Sequence, residues 1–219
     1  MSASASTTAL VYRAAAGTTG AALILAHGAG AGQRSPFIVT FAQSLSGLGL
    51  DVVTFNFLYT EQQRRLPDRG PALEDCYRAV IGVIRAELES ARDFLVIGGK
   101  SMGGRIATQV AAGDPALPIH ALVLLGYPLH PPGRPAQRRD AHLTGVQRPM
   151  LFVQGARDAF GTPAELRFVE SLTPPATLHV VEGGDHSFKM SGRDPKKQAG
   201  VYRQVQQAVF DWIQARRVS

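Results

Sequence analysis

Six short apolar runs, at residues 23–26, 52–55, 95–97, 122–125, 151–153 and 178–181, constrain this chain more than any other feature. Each is near-continuous rather than alternating, and each is bounded by Gly, Pro or Asp. Strands of that kind need apolar cover on both faces, the condition of a parallel sheet inside an α/β protein. Helical patterns lie between the runs. The clearest spans 71–91, where Leu73, Tyr77, Val80, Ile81, Ile84 and Leu88 recur at helical spacing behind a proline suited to a first turn. Others cover 37–48, 105–112, 163–172 and 195–216, and residues 9–13 suggest an edge strand. Alternating strand and helix predicts an open, doubly wound, mostly parallel sheet with helices on both faces and right-handed crossovers.

A chain of 219 residues, 45% of them hydrophobic and without a composition break, can bury one substantial core, so 1–219 reads as a single domain. Its Ser/Ala/Thr-rich start, 1–8, reads as disordered. No apolar run is long enough to cross a bilayer and the start lacks a basic or apolar leader region, which predicts a soluble cytoplasmic protein with no membrane partner. The single cysteine, Cys76, falls within the 71–91 helix and reads as a small core-side residue. A net charge of +6 is carried mostly by arginine, with no zinc spacing, RNA-binding aromatic signature or helix-turn-helix pattern beside it. No nucleic-acid partner, metal or cofactor is therefore expected.

In a doubly wound sheet, ligands bind beyond the carboxyl ends of the strands, so those loops are where chemistry is sought. After the 95–97 run, Gly99-Lys100-Ser101-Met102-Gly103 spells G-x-S-x-G, with a helical pattern following. This is the nucleophile elbow: a serine on a sharp strand-to-helix turn, flanked by glycines because the turn crowds neighbouring backbone. The turn exposes the serine oxygen and aims the Met102 amide, at the start of the helix, toward a developing oxyanion. A phosphate-binding P-loop is ruled out, since it needs a glycine five residues before Gly99 and the chain has Phe94 there.

A serine hydroxyl needs a base, and the base needs a group that holds its tautomer. In chain order Ser, acid, His, the candidates are Asp158, after the 151–153 run, and His186, after the 178–181 run. Competing readings make Asp158 a turn residue capping the 163–172 helix, assign the acid to Asp185 or Glu182, or leave His186 a solvated loop residue. Among the other histidines, His27 follows the first strong strand in His27-Gly28-Ala29-Gly30. That loop position supplies the second oxyanion amide, assigned to Ala29, and His27 reads as a structural brace.

Together His27-Gly28-Ala29-Gly30, Gly99-Lys100-Ser101-Met102-Gly103-Gly104-Arg105, Leu125-Gly126-Tyr127-Pro128-Leu129-His130, Gln154-Gly155-Ala156-Arg157-Asp158 and Gly184-Asp185-His186-Ser187-Phe188 resemble an α/β-hydrolase. More narrowly, they are similar to a dienelactone-hydrolase-like branch and to the third subunit of the animal non-specific-lethal acetyltransferase complex. The resemblance covers nearly the whole chain and implies a Ser101, Asp158, His186 triad. The chain departs from dienelactone hydrolases proper by carrying Ser101 where they carry cysteine. The favoured function is a serine hydrolase of carboxylesterase or thioesterase type, taking a small ester or thioester. The alternative is a non-catalytic protein-interaction module that keeps the fold.

Two further expectations concern access. The loop 127–148, where a lid is usually inserted, is short and holds Pro128, Pro131, Pro132 and Pro135, which predicts an open cleft. Arg64, Arg65 and Arg69 follow the 52–55 run, and Arg134, Arg138 and Arg139 follow the 122–125 run, so both groups are placed at the cleft mouth. Arg64, Arg65, Arg134 and Arg138 are thereby candidate substrate-binding residues for an anionic acyl donor, against the plainer reading of scattered, solvated arginine.

Overall fold

The computed structural model describes residues 6–15, 17–174, 176–192 and 194–218. Its sheet has seven strands: β1 (Ala9–Tyr12), β2 (Ala22–Ala26), β3 (Asp51–Phe55), β4 (Leu95–Lys100), β5 (Ala121–Leu125), β6 (Met150–Gly155) and β7 (Thr177–Val181). They lie in the order β1-β3-β2-β4-β5-β6-β7, with β1 antiparallel to β3 and every other pair parallel. All six apolar runs are strands, and the edge strand forms.

Between them run α1 (Pro36–Gly47), α2 (Leu58–Glu61), α3 (Gly70–Glu87), α4 (Glu89–Asp93), α5 (Met102–Gly113), α6 (Pro163–Leu166) and α7 (Pro195–Arg217). Alternate strand residues face opposite layers, as the period of two demands. Ile24, Leu95 and Ile97 pack on one face with Tyr77, Ile81 and Ile106, whereas Leu23, Leu25 and Val96 pack on the other with Phe41, Val209 and Ile213. Both faces are thus covered by helices, which is why the runs had to be apolar throughout. Cys76 is buried in the first of these layers. Among the described residues no helix is long and apolar enough to cross a membrane.

Three expectations are corrected here. The 71–91 helix is two helices, because Leu88 takes extended backbone (φ −107°, ψ 123°) and separates α3 from α4. The 163–172 helix keeps only one α-helical turn, opened by a Thr162/Glu165 capping box, and continues as a 3₁₀ turn over Arg167–Ser171. Of the supposedly disordered start, residues 1–5 lie outside the described residues, but Thr7 and Thr8 are tied down. The Thr7 hydroxyl donates to the Asn56 carbonyl, and the Thr8 carbonyl accepts from the Asn56 amide at 3.3 Å and from Gln33 Nε2 at 3.1 Å. Backbone pairing that extends β1 fixes what composition alone marks as loose.

Candidate active site

The site begins with a strained residue. Ser101 sits between β4 and α5 at φ 52°, ψ −117°, in backbone that non-glycine residues seldom adopt, and its amide is held by the Leu125 carbonyl at 3.0 Å. The turn is feasible because its flanks lack side chains. A Cβ on Gly99 would lie 2.5 Å from the Ala26 carbonyl oxygen, and one on Gly103 would lie 2.6 Å from the same oxygen. The loop after β2 therefore runs directly against the elbow, and a Cβ on Gly28 would lie 3.4 Å from Ser101 Cβ.

That loop is braced by His27, which is fully buried. Its Nδ1 donates to the Gly28 carbonyl at 2.8 Å and its Nε2 accepts from the Phe57 amide at 3.3 Å, one neutral tautomer serving both bonds. Burial lowers its pKa and keeps it neutral. The bracing brings Ala29 to the wall of the cavity into which Ser101 opens, and Met102 lines the same wall. Met102 is the first residue of α5, so its amide is among those a helix leaves without an intrahelical partner.

Three strand ends bring the polar partners together. His186 Nε2 lies 2.9 Å from Ser101 Oγ, and His186 Nδ1 lies 2.8 Å from Asp158 Oδ2. Asp158, 1% exposed, also accepts from Gln154 Nε2 at 2.8 Å and from the Phe160 amide at 2.8 Å, so both carboxylate oxygens are fixed. With the carboxylate acting as acceptor, Nδ1 carries the imidazole proton and Nε2 faces the serine as an acceptor. Phe160 stacks on the imidazole with ring centroids 4.2 Å apart. Asp185 is turned to its own loop, where Oδ1 accepts from the Ser187 and Lys189 amides at 2.8 and 2.9 Å, and Glu182 is exposed. Of the candidate acids, Asp158 is the one bonded to His186.

This chain of bonds opens onto a cavity of about 800 Å³. A profile of the alpha/beta hydrolase domain matches residues 19–214, nearly the whole chain. The protein belongs to the α/β-hydrolase family. The chain is 27% identical over 193 residues to a Mycobacterium tuberculosis protein whose name proposes a phosphoribosyl transferase; the match covers 87% of this chain and 40% of that one, so the chain spans less than half of that relative. Its fold is similar to an α/β serine hydrolase homologue from Coxiella burnetii (TM-score 0.74, 21% identity, 94% of this chain and 90% of that one). It is also similar to a dienelactone hydrolase from Anabaena variabilis (TM-score 0.69, 21% identity, 92% and 89%).

The arginines depart from expectation. Arg64, Arg65, Arg134 and Arg138 do not line the Ser101 cavity. Arg64 is bonded to Asp68 at 2.6 Å and Gln62 at 2.8 Å, and with Arg65 it borders a separate cavity of about 400 Å³. Arg138 pairs with Asp140 and lies over the Phe168 ring. Arg134 is exposed. Long, flexible side chains near local carboxylates or open water are drawn to those rather than to a cleft. Only Arg139, of the six, reaches the cavity, where it joins Lys100, Arg105 and Lys189. Lys100, Arg105 and Gln154 stood in the motifs that carry the resemblance but without a role, and Phe160 gave no signal; Gln154 lies four residues before Asp158 and Arg105 four after Ser101, a spacing that has meaning only once the elements around it are placed.

Proposed function

We propose that this α/β-hydrolase cleaves an ester or thioester through an acyl-enzyme on Ser101. The observation that carries the reading is the unbroken relay Ser101–His186–Asp158, with bonds of 2.9 and 2.8 Å, at the wall of an open cavity. Ser101 Oγ attacks the substrate carbonyl carbon as its proton passes to His186 Nε2, and Asp158 stabilises the imidazolium that forms. The Ala29 and Met102 amides receive the negative charge on the carbonyl oxygen. Collapse of the tetrahedral intermediate breaks the bond to the alcohol or thiol, which leaves with the proton from His186. A water, deprotonated by the same nitrogen, then attacks the acyl-serine and releases the acid.

A non-catalytic module has no use for a serine held in strained backbone with a buried carboxylate behind its histidine partner. Fluorophosphonate labelling of the purified protein tests the proposal. Wild type is expected to become labelled on Ser101 and Ser101→Ala is not; an unlabelled wild type, or label persisting in the variant, refutes it.

A further inference from the structure

The cavity beside Ser101 is short of negative charge. Lys100, Arg105, Arg139 and Lys189 line it, against one carboxylate, Asp68, that is already engaged by Arg64. Two of these cations, Arg105 and Arg139, lie close enough to feel each other's charge. Arg105 lies one helical turn beyond Ser101, its amide bonded to the Ser101 carbonyl at 3.1 Å. Its Nη1 reaches Gln109 Oε1 at 3.2 Å, yet its Nε is buried without a hydrogen-bond partner, and the side chain forms no ion pair among the described residues. Arg139 is held by its main chain: its amide donates to the Leu129 carbonyl at 2.8 Å and its carbonyl accepts from the Tyr127 hydroxyl at 2.7 Å. Its guanidinium has neither a hydrogen bond nor an ion pair among the described residues.

The two arginines oppose each other electrostatically, since burial and then the Arg139 charge lower the Arg105 pKa, against smaller opposing contributions from Tyr127 and from Glu74, which is itself paired with Arg78. His142, whose Nε2 contacts Thr108 Oγ1 at 2.8 Å, is pushed down to about 4 by burial and by Arg105, so it adds no charge. Gly70, at the positive end of the α3 dipole, opens on the same cavity. A half-buried guanidinium with no ion pair and a buried N–H left without an acceptor is completed by an anion, and its planar fork fits a carboxylate or phosphate through paired N–H bonds.

We propose that Arg105 and Arg139 form a subsite for a compact anion, carboxylate or phosphate, carried by the substrate. The subsite rests on the hydrolase reading only for the reacting end of that substrate. It replaces the rim expected from Arg64, Arg65, Arg134 and Arg138 with a pair inside the cavity.

Two measurements test it separately from catalysis. In Ser101→Ala protein, calorimetric titration with succinate and with inorganic phosphate is expected to detect binding of at least one, and the ion that binds identifies the anion. Adding Arg105→Gln or Arg139→Gln is expected to weaken that binding about tenfold each, the low end for a charge-assisted hydrogen bond, with Arg105→Lys weakening it less. The Arg139 substitution touches no side-chain bond, so it keeps the test open if Arg105 variants misfold. In otherwise wild-type protein, the ratio of kcat/KM for 4-nitrophenyl hemisuccinate to that for 4-nitrophenyl butyrate is expected to fall about tenfold in either glutamine variant if succinate is the ion that binds. Failure of both ions to bind, or affinities unmoved by both substitutions, overturns the subsite. Anion binding that depends on the arginines, in a protein whose wild type takes no fluorophosphonate label, supports the subsite and refutes the hydrolase reading instead.

Discussion

Lys100 occupies the variable position before the nucleophile, yet it is 7% exposed and its ammonium nitrogen is buried with no hydrogen-bond partner among the described residues. It lies 5.7 Å from the centroid of the Phe37 ring. Burial lowers its pKa from 10.5 to about 8, against the attraction of Asp158 and then Asp185. At neutral pH that difference amounts to about 3 kcal/mol of penalty on the charged form in the folded protein. Lys100→Met keeps the length of the stem and removes the charge, so at pH 7 the variant is expected to be more stable than wild type by about 3 kcal/mol. The sign with pH follows from linkage. Between pH 8 and 10.5 the unfolded chain holds the Lys100 proton more tightly than the folded one, so wild-type stability rises with pH across that window and the variant's advantage disappears. Urea unfolding of both proteins at pH 7, 8.5 and 10 measures the difference, in which contributions from other titrating groups cancel. An advantage that stays constant with pH, or a variant less stable at pH 7, refutes the reasoning.

Asp158→Asn and His186→Ala are each expected to lower kcat by about 10⁴-fold, whereas Asp185→Asn, bonded only within its loop, stays within a few-fold of wild type; steady-state kinetics on one ester decides between the two aspartates. Tyr77→Phe strands the Gly98 amide, which donates to the Tyr77 hydroxyl at 3.0 Å, and is expected to cost about 1–3 kcal/mol in denaturant unfolding. His142, held at about 4, makes the fold lose stability as pH falls from 6.5 toward 4, because the unfolded chain takes up the proton first; since the residue is partly exposed, about 1 kcal/mol is expected, visible as a shallower acid loss in His142→Phe. The segment between β5 and β6 has no helix besides the 3₁₀ turn Ala141–Gly145, so rates on long-chain esters are expected to show no jump at the micellar threshold.

The apolar runs located all six parallel strands because a strand buried on both faces has no freedom to be anything but apolar. G-x-S-x-G located Ser101 for a related reason: Gly99 and Gly103 sit where any Cβ would meet the Ala26 carbonyl, so the constraint is local and shows in the residues themselves. Asp158 and His186 were legible as positions past strand ends, and that position favoured Asp158 over Asp185 without excluding the latter. Both are aspartates in loops, and only the folded geometry turns one toward the imidazole and the other into its own turn. The break at Leu88 escaped the pattern as well, since its spacing continues the helix while its backbone does not. Charge was the least legible property. Arginine in a loop carries no mark of where its guanidinium will go: Arg64 and Arg138 found nearby carboxylates, while Arg105 and Arg139, from separate elements, were brought to one cavity by the packing of α5 and the chain beyond β5. Local backbone and burial requirements are written in sequence one element at a time; the meeting of side chains from different elements is decided only when tertiary packing sets their distances.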